Sequence, residues 1–281
     1  MTKYNRFVTM FLVIGLLITF IFQVPAFAGD TAQSAYTVSD LNEQVLMGLV
    51  WMQTSAEYRE LCYQAFNLAG MAVEKAVSAA KKGDKPLAVI SDLDETLIDN
   101  GAYDGGLIQK KVSFSGKTWQ EWMQAAQATA IPGAVDFLNA AAQKGVVIFY
   151  VTNRDMAGLP GTVKNLSVLG FPFADTKHVM VRIDASDKQP RFDAVGKDFN
   201  VILYMGDNAN DLPTGTYGKD MKERNAIVDQ NKDQFGIRFI VLPNPVYGDW
   251  ERALAPNYQS LTPWGKSEAR KAQLRTWMPV P

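Results

Sequence analysis

The strongest pointer to the fold is the segment Pro86-Leu87-Ala88-Val89-Ile90-Ser91-Asp92-Leu93-Asp94-Glu95-Thr96. Its first half is a continuous apolar run, which is typical of a parallel strand that is buried on both faces. Asp92 and Asp94 follow at the carboxyl end of that strand, the edge at which open α/β sheets bind their ligands. The segment therefore predicts an α/β fold with a chemical site at this edge of the sheet.

Other short apolar runs repeat the strand pattern along the chain. They are Val146–Val151, Val179–Arg182, Val201–Met205 and Phe239–Leu242. Helical spacing of apolar residues separates most of them, at Ala134–Gln143, Gly161–Leu169 and Arg191–Lys197. Alternation of this kind predicts βαβ units that form a parallel sheet with helices on both faces.

The first 28 residues have the features of a signal peptide. Lys3 and Arg6 precede an apolar stretch, Phe7–Phe22, and Ala26-Phe27-Ala28 supplies small residues for cleavage. The alternative is an uncleaved anchor helix, although the apolar length is marginal for spanning a bilayer. The segment predicts an exported protein, periplasmic or secreted, without a membrane anchor after cleavage.

The rest of the chain divides by composition and spacing. We expect a flexible tether at 29–40, a helical segment at 41–85, a core at 86–255 and a tail at 256–281. An elaborate insertion near 99–130 predicts a cap, to which the helical segment and the tail would contribute. Within that insertion, Gly101–Gly106 is expected to be a loop, because no helix clearly follows it.

Composition excludes several classes of function. The chain has 281 residues, 47% of them hydrophobic, and a formal net charge of −1, which gives no electrostatic reason to bind a nucleic-acid polymer or a membrane surface. Its single histidine, His178, rules out a phosphohistidine site with paired histidines and is expected to be structural. The only cysteine, Cys62, is expected to be buried in a helix over Ala56–Ala80.

Polar residues follow three of the predicted strands. Asp92 and Asp94 follow the first, Thr152-Asn153-Arg154 the second, and Gly206-Asp207-Asn208-Ala209-Asn210-Asp211 the strand that ends at Met205. Lys188 lies between the last two. Because the carboxyl ends of parallel strands align, we expect all of these residues to meet in one crevice.

This set of residues suits phosphoryl transfer. Asp92 and Asp207 offer oxygen ligands for Mg²⁺, and Asp92 can attack phosphorus to give an aspartyl-phosphate. Asp94 can protonate the leaving alcohol and then activate water. Thr152, the Asn153 backbone N–H and Lys188 can bind the phosphoryl oxygens.

Asp211 is expected to orient a metal-bound water from behind the ligands. Two other assignments keep alternatives. Lys177 or Lys197 could replace Lys188 as the phosphate lysine, and Arg154 suits either a substrate contact or a structural salt bridge.

The ordered set D-x-D-x-T, strand-end Thr, downstream Lys and G-D-x-x-x-D resembles the haloacid dehalogenase (HAD) superfamily of phosphatases. A narrower resemblance lies in the flanking residues, at Asp92–Asn100, Ala130–Ala134, Tyr150–Arg154, Leu242–Asn244 and Tyr247–Glu251. These resemble the bacterial class C acid phosphatases, the lipoprotein e(P4)/5′-nucleotidase family, over roughly 45–256. The resemblance implies a HAD-like (Rossmannoid) three-layer fold with a mostly helical cap.

The resemblance also implies a function. It implies a Mg²⁺-dependent acid phosphatase for small phosphomonoesters, including nucleoside 5′-monophosphates, with the Asp94 backbone carbonyl as a further metal ligand. Trp119 and Tyr247 would stack on a flat leaving group with Tyr103 nearby; without the resemblance, both would count as packing residues. Trp122, Trp250, Trp264 and Trp277 are expected to pack.

Other readings stay open at this point. The same core also suits a phosphotransferase, a phosphonatase or a non-catalytic binding protein. A homodimer is open as well.

Overall fold

The computed structural model describes residues 35–278, and a parallel sheet forms its centre. The strands are β1 (Leu87–Ser91), β2 (Ile98–Asp99), β3 (Thr129–Ala130), β4 (Val147–Asp155), β5 (Val179–Arg182), β6 (Asn200–Gly206) and β7 (Phe239–Val241). Five of them form one sheet in the order β5-β4-β1-β6-β7, and each pair is parallel. The predicted parallel sheet is confirmed, and its central strand leads directly into the two aspartates.

Helices flank this sheet throughout the described residues. They are α1 (Val38–Glu43), α2 (Leu46–Thr54), α3 (Ala56–Ala79), α4 (Gly101–Lys110), α5 (Gly116–Ala125), α6 (Ala134–Gln143), α7 (Leu159–Leu169), α8 (Gln189–Asp198), α9 (Met221–Gln230), α10 (Asp249–Arg252) and α11 (Pro263–Lys271). The helices predicted from apolar spacing between the strands correspond to α6, α7 and α8. Helix α9 was not predicted, because Arg224 is its only buried residue and it lacks an apolar stripe.

The side chains of successive residues in β1 face opposite sides of the sheet. Val89 joins the larger apolar cluster, which includes residues of α3, α6 and α7. Ala88 and Ile90 join a second cluster, which includes residues of α8. Since strand side chains alternate with a period of two, both faces of the sheet are covered. This accounts for the uninterrupted apolar run in the sequence.

The segment Gly101–Gly106 is helical, so the predicted loop is wrong. It forms the first part of α4, which packs against α2. A Cβ on Gly101 would lie 2.9 Å from Nε2 of Gln53 and 3.3 Å from Cδ1 of Leu49. Gly101, one of the glycines that suggested a loop, thus lets two helices approach closely. Packing outweighs a helix-propensity cost of about 1 kcal/mol for each glycine in the helix.

A short antiparallel ladder closes the helical insertion. Strand β2 precedes α4 and α5, strand β3 follows them, and the two pair at Ile98 with Ala130 and at Asp99 with Thr129. The chain therefore returns to the point where it left the sheet. Both ends of the insertion lie close to the end of β1, because Leu97 accepts a hydrogen bond from the backbone N–H of Ile131 at 2.9 Å.

The two ends of the described chain depart from expectation. Helix α1 begins at Val38, inside the stretch 29–40 that was expected to be a tether, and Thr37 caps it. Trp277 was expected to pack but is 83% exposed, because it lies beyond α11, the last helix. The predicted signal peptide lies outside the described residues. Between residues 35 and 278, none of the helices is both long and apolar enough to cross a membrane.

Cys62 and His178 are structural residues, as predicted. Cys62 lies in α3 and is fully buried, and burial raises the pKa of its thiol to about 11. His178 is buried just before β5, and its Nδ1 lies 2.9 Å from Oδ1 of Asp175. Neither residue lies among the acids that follow β1 and β6.

Candidate active site

Three carboxylates converge where β1 and β6 end. Asp92 continues directly from β1, and its backbone N–H donates to the Met205 carbonyl at 2.9 Å. Asp207 follows the last residue of β6, and Asp211 closes the short turn after it. One carboxylate oxygen from each of the three lies within 4.8 Å of the others. The predicted crevice therefore exists, and its acids come from two neighbouring strands.

A buried lysine lies among these acids. Lys188, immediately before α8, is 2% exposed and contacts the carboxylates of Asp92 and Asp211, the latter at 2.7 Å. The two alternative lysines, Lys177 and Lys197, are exposed. Lys188 is thus the lysine that the fold brings to the crevice, as the sequence order predicts.

Burial and like charges disfavour ionisation of the acids. Burial raises the pKa of Asp92 to about 7, with the Asp211 charge adding to the rise and Lys188 opposing it. Burial and the Asp211 charge also raise the pKa of Asp207 well above its usual range. For Lys188, burial alone would lower the pKa, but the carboxylates of Asp211 and Asp92 raise it. The cluster is therefore short of positive charge.

This donor set fits a divalent cation. Three acids and one lysine leave two formal negative charges within the cluster, and carboxylate oxygens are the ligands that hard cations prefer. The fit rests on Asp92, Asp207 and Asp211. Asp211 is expected from the sequence to orient a metal-bound water, and one of its carboxylate oxygens lies within this group.

The close approach of Asp211 depends on a glycine. A Cβ on Gly206 would lie 2.1 Å from the Cβ of Asp211, so no larger residue fits without a backbone shift. The turn itself is a capping box, in which the backbone N–H of Asn208 donates to Oδ2 of Asp211 at 2.9 Å. The G-D-x-x-x-D motif therefore includes its glycine for a steric reason.

Asp94 lies in a different set of contacts. Nε and Nη2 of Arg154 donate to Oδ1 of Asp94 at 3.0 and 2.8 Å, and Asn100 Nδ2 donates to the same oxygen at 2.8 Å. Thr152 Oγ1 lies 3.3 Å from Oδ2. Arg154 is only 2% exposed, so of its two proposed roles the structure supports the salt bridge. Its partner in that bridge was not foreseen.

Asn100 and Glu95 are the residues that sequence reasoning missed here. Glu95 is buried with a left-handed φ of 55°, and its Oε1 accepts from the backbone N–H of Asn100 at 2.8 Å. Burial raises the pKa of Glu95 well above its usual range. Asn100 Oδ1 in turn accepts from Nε1 of Trp122 at 2.7 Å. Both residues lie in the run Asp92–Asn100, which by itself indicates only a family resemblance.

Two neutral donors hold Asp207. Asn244 Nδ2 donates to its Oδ2 at 2.8 Å, and Thr96 Oγ1 donates to its Oδ1 at 3.2 Å. Asn244 also accepts from the backbone N–H of Val246 at 2.9 Å, which ties the following loop to the acid cluster. Tyr247 lies in that loop and is 37% exposed. The loop therefore presents an accessible ring three residues from a residue that contacts the cluster.

The predicted aromatic residues of the insertion form a cluster beside Asp94. The rings of Tyr103 and Trp119 are 5.1 Å apart at 67°, and Phe114 lies 6.0 Å from Trp119. The Trp119 ring also covers the Arg154 guanidinium at 5.3 Å. Trp119 and Tyr103 are thus joined to the Asp94 network, and both are partly accessible.

Asn153 points away from the acids. Its side chain is exposed and donates to the Ser186 carbonyl at 3.0 Å, while its Oδ1 accepts from Nη2 of Arg191 at 2.7 Å. This leaves only its backbone for the phosphate contact that the sequence predicts. Strand β4 itself extends to Asp155, so Thr152-Asn153-Arg154 stays within the strand rather than following it.

Comparison with known proteins agrees with this geometry. Residues 23–250 match the family model described as HAD superfamily, subfamily IIIB (Acid phosphatase). The chain is similar to the class C acid phosphatase from Bacillus anthracis, at 35% identity and a TM-score of 0.81 over 85% of this chain and 99% of that one. A crystal structure of class C acid phosphatase from Bacillus anthracis with tungstate bound gives the same values.

These matches confirm the HAD-like three-layer fold with a mostly helical cap. The chain therefore belongs to subfamily IIIB of the HAD superfamily, among the class C acid phosphatases, which are phosphoric monoester hydrolases.

Proposed function

We propose that this acid phosphatase is Mg²⁺-dependent and works through an aspartyl-phosphate on Asp92, with nucleoside 5′-monophosphates among its substrates. The contact of Lys188 with Asp92, at the edge of a cluster rich in carboxylates, carries the proposal. That arrangement gives one carboxylate a fixed direction and a cationic neighbour. A phosphoryl group arriving there meets a nucleophile and a positive charge together.

The first half-reaction transfers the phosphoryl group to the protein. An Asp92 carboxylate oxygen forms a bond to phosphorus while the bond from phosphorus to the ester oxygen breaks. Asp94 gives its carboxyl proton to that oxygen, and the alcohol leaves. Lys188, Thr152 and the Asn153 backbone N–H stabilise the phosphoryl oxygens as charge moves.

The second half-reaction returns Asp92 to its starting state. Asp94, now a carboxylate, takes a proton from water as the water oxygen attacks phosphorus. The bond between phosphorus and Asp92 breaks, and inorganic phosphate leaves. Asp94 ends the cycle protonated, so the same side chain serves both steps.

The acids Asp92, Asp207 and Asp211 and the Asp94 backbone carbonyl would hold the metal ion. A bound Mg²⁺ supplies positive charge that offsets the repulsion between these carboxylates and a phosphate dianion. Lys188 would contact the phosphoryl oxygens beside the metal ion, because ion pairs with Asp92 and Asp211 fix its ammonium there. The related enzyme with tungstate bound is consistent with an oxyanion in this crevice.

The leaving group would lie against the aromatic residues. Trp119 and Tyr247 would stack on a nucleobase or other flat group, with Tyr103 nearby. We place Trp119 and Tyr103 in a cap formed by the insertion near 99–130, the helices of 41–85 and the tail 256–281. Tyr247 belongs to the core at 86–255, which this cap would cover. Export by a signal peptide at 1–28, to the periplasm or beyond, belongs to the same proposal, and a homodimer stays a prediction.

The deciding experiment measures phosphate release from nucleoside 5′-monophosphates by the full chain, with Mg²⁺ present and after chelation. We expect release that chelation abolishes and Mg²⁺ restores. When turnover of an ester with a radiolabelled phosphoryl group is quenched with acid, the label should remain on the peptide that contains Asp92. The Asp92→Asn variant should retain no label. Unchanged release after chelation, or label on another peptide, contradicts the proposal. Added alcohol acceptors, or a phosphonate substrate, would reveal the transferase and phosphonatase alternatives.

A further inference from the structure

The two oxygens of Asp94 differ in their hydrogen bonds. Oδ1 accepts from Nε and Nη2 of Arg154 and from Nδ2 of Asn100, all between 2.8 and 3.0 Å. Oδ2 has longer contacts, 3.2 Å from Arg154 Nε and 3.3 Å from Thr152 Oγ1. Three short donors saturate Oδ1, so Oδ2 is the oxygen that remains available to exchange a proton.

Arg154 is itself held on several sides. Its Nη1 donates to Oγ1 of Thr162 at 3.1 Å, and its Nη2 donates to Oδ1 of Asn100 at 3.2 Å. The Trp119 ring covers the guanidinium at 5.3 Å. A planar guanidinium fixed in this way presents its donors to a carboxylate in one orientation only.

We propose that Arg154 is a positioning residue that turns the Asp94 carboxyl so that Oδ2 faces the oxygen of the leaving group. This inference rests on the proposed function, since it gives Asp94 the role of proton donor. Arg154 then acts on one event: transfer of the Oδ2 proton to the ester oxygen as the bond from that oxygen to phosphorus breaks. It takes no part in binding the phosphoryl oxygens.

If Arg154 positions Asp94, the loss of rate in an Arg154 variant should depend on the leaving group of the ester. An ester of an acidic phenol leaves as a phenolate and needs little proton transfer, whereas an ester of a simple alcohol needs the proton. Misplacing Asp94 should therefore slow alkyl esters selectively. A variant that only weakened the fold, or the binding of phosphate, would slow both esters by the same factor.

The test compares 4-nitrophenyl phosphate with 4-nitrobenzyl phosphate, which share a flat ring but differ in the acidity of the leaving oxygen. The quantity measured is kcat/KM, because it covers only the steps up to departure of the alcohol and leaves out the second half-reaction. Arg154→Lys keeps the positive charge but loses the planar fork. We expect it to lower kcat/KM for the nitrobenzyl ester about 10- to 100-fold more than for the nitrophenyl ester.

Two further variants control the result. Thr162→Val removes the acceptor of Nη1 and keeps the shape of the side chain, so it should give a smaller loss with the same selectivity. Arg191→Lys alters an arginine in the first turn of α8, whose Nη1 donates to the Thr152 carbonyl at 2.6 Å. It should lower kcat/KM for both esters by a similar factor.

The Asp94→Asn variant tests the proton-donor role of Asp94 separately from the positioning role of Arg154. We expect this variant to lose about 10²- to 10⁴-fold on the nitrobenzyl ester and far less on the nitrophenyl ester. If Asp94→Asn is selective and both Arg154→Lys and Thr162→Val slow the two esters equally, Arg154 has only a structural role and the inference is wrong. If Asp94→Asn itself is not selective, the proton-donor role of Asp94 in the proposed function is wrong.

Discussion

Asp92 and Asp94 are two residues apart, yet their carboxylates lie in opposite electrostatic surroundings. Around Asp92, two further acids and one lysine share a buried space, and burial raises the pKa of Asp92 to about 7. Around Asp94, a buried guanidinium and an amide donate to a single oxygen. The region around Asp92 has an excess of negative charge, whereas the Arg154 guanidinium balances the charge of Asp94.

The charge of Asp94 is balanced by protein groups, whereas the excess negative charge around Asp92 requires a bound cation. The Asp94 region is satisfied by protein groups, so its geometry should persist whether or not substrate or metal is bound. The Asp92 region has an excess of carboxylates that a cation relieves. Variants on the two sides should therefore differ in activity, stability and response to metal.

The largest expected effect is on turnover at the Asp92 side. Asp92→Asn removes the nucleophile, and we expect kcat to fall by about 10⁴-fold or more, while the circular dichroism spectrum of the fold is kept. Steady-state assays with 4-nitrophenyl phosphate measure the loss. Substantial Mg²⁺-dependent activity in this variant would remove Asp92 from the mechanism.

The next effect concerns stability at the Asp94 side. Arg154→Met leaves a largely buried carboxylate without its cation, which should cost about 3–5 kcal/mol in the free energy of unfolding. Urea denaturation measures this change. Adding Asp94→Leu to the same chain should restore much of the loss, because no unpaired charge then remains. Additive losses in the double variant would mean that the pair is not coupled.

A metal ion should stabilise only one of the two regions. At a Mg²⁺ concentration about 100 times Kd, the free energy of unfolding should rise by about 2.7 kcal/mol over that of the chelated protein. Asp207→Asn should lose most of this increment, whereas Asp94→Asn should keep it, since only the backbone of Asp94 is proposed to touch the metal. Equal increments in the two variants would place the metal elsewhere.

The smallest effect concerns the leaving group. Trp119→Ala should raise KM for a nucleoside monophosphate by about 10-fold, because one stacked ring contributes roughly 1–3 kcal/mol, and change KM for a small alkyl phosphate far less. Tyr247→Ala provides the matched change in the loop that follows Asn244. Equal changes for both substrates would identify these rings as packing residues.

The sheet and the meeting of the acids were predictable from the sequence, because both follow from local patterns. An apolar run followed by polar residues marks a buried parallel strand and its carboxyl end, and aligned strand ends bring their residues together. Lys188 was predicted from its order along the chain, and the fold leaves both alternatives exposed. The catalytic roles of these residues stay predictions.

What the sequence did not reveal depends on long-range packing. Arg154 meets Asp94 across 60 residues, and no local pattern distinguishes that contact from a contact with substrate. The helix at Gly101–Gly106 forms because α2 lies against it, which glycine content alone argues against. The exposure of Trp277 likewise depends on where the last helix ends rather than on residue type.

Cys62 gives the chain a built-in reporter of unfolding. It is the only cysteine in 281 residues, it lies fully buried on the inner face of α3, and burial raises its thiol pKa to about 11. A thiol-specific dye can react only after α3 separates from the sheet. The labelling rate therefore reports how often that helix opens, without any engineered substitution, and every variant discussed above can be compared on the same scale.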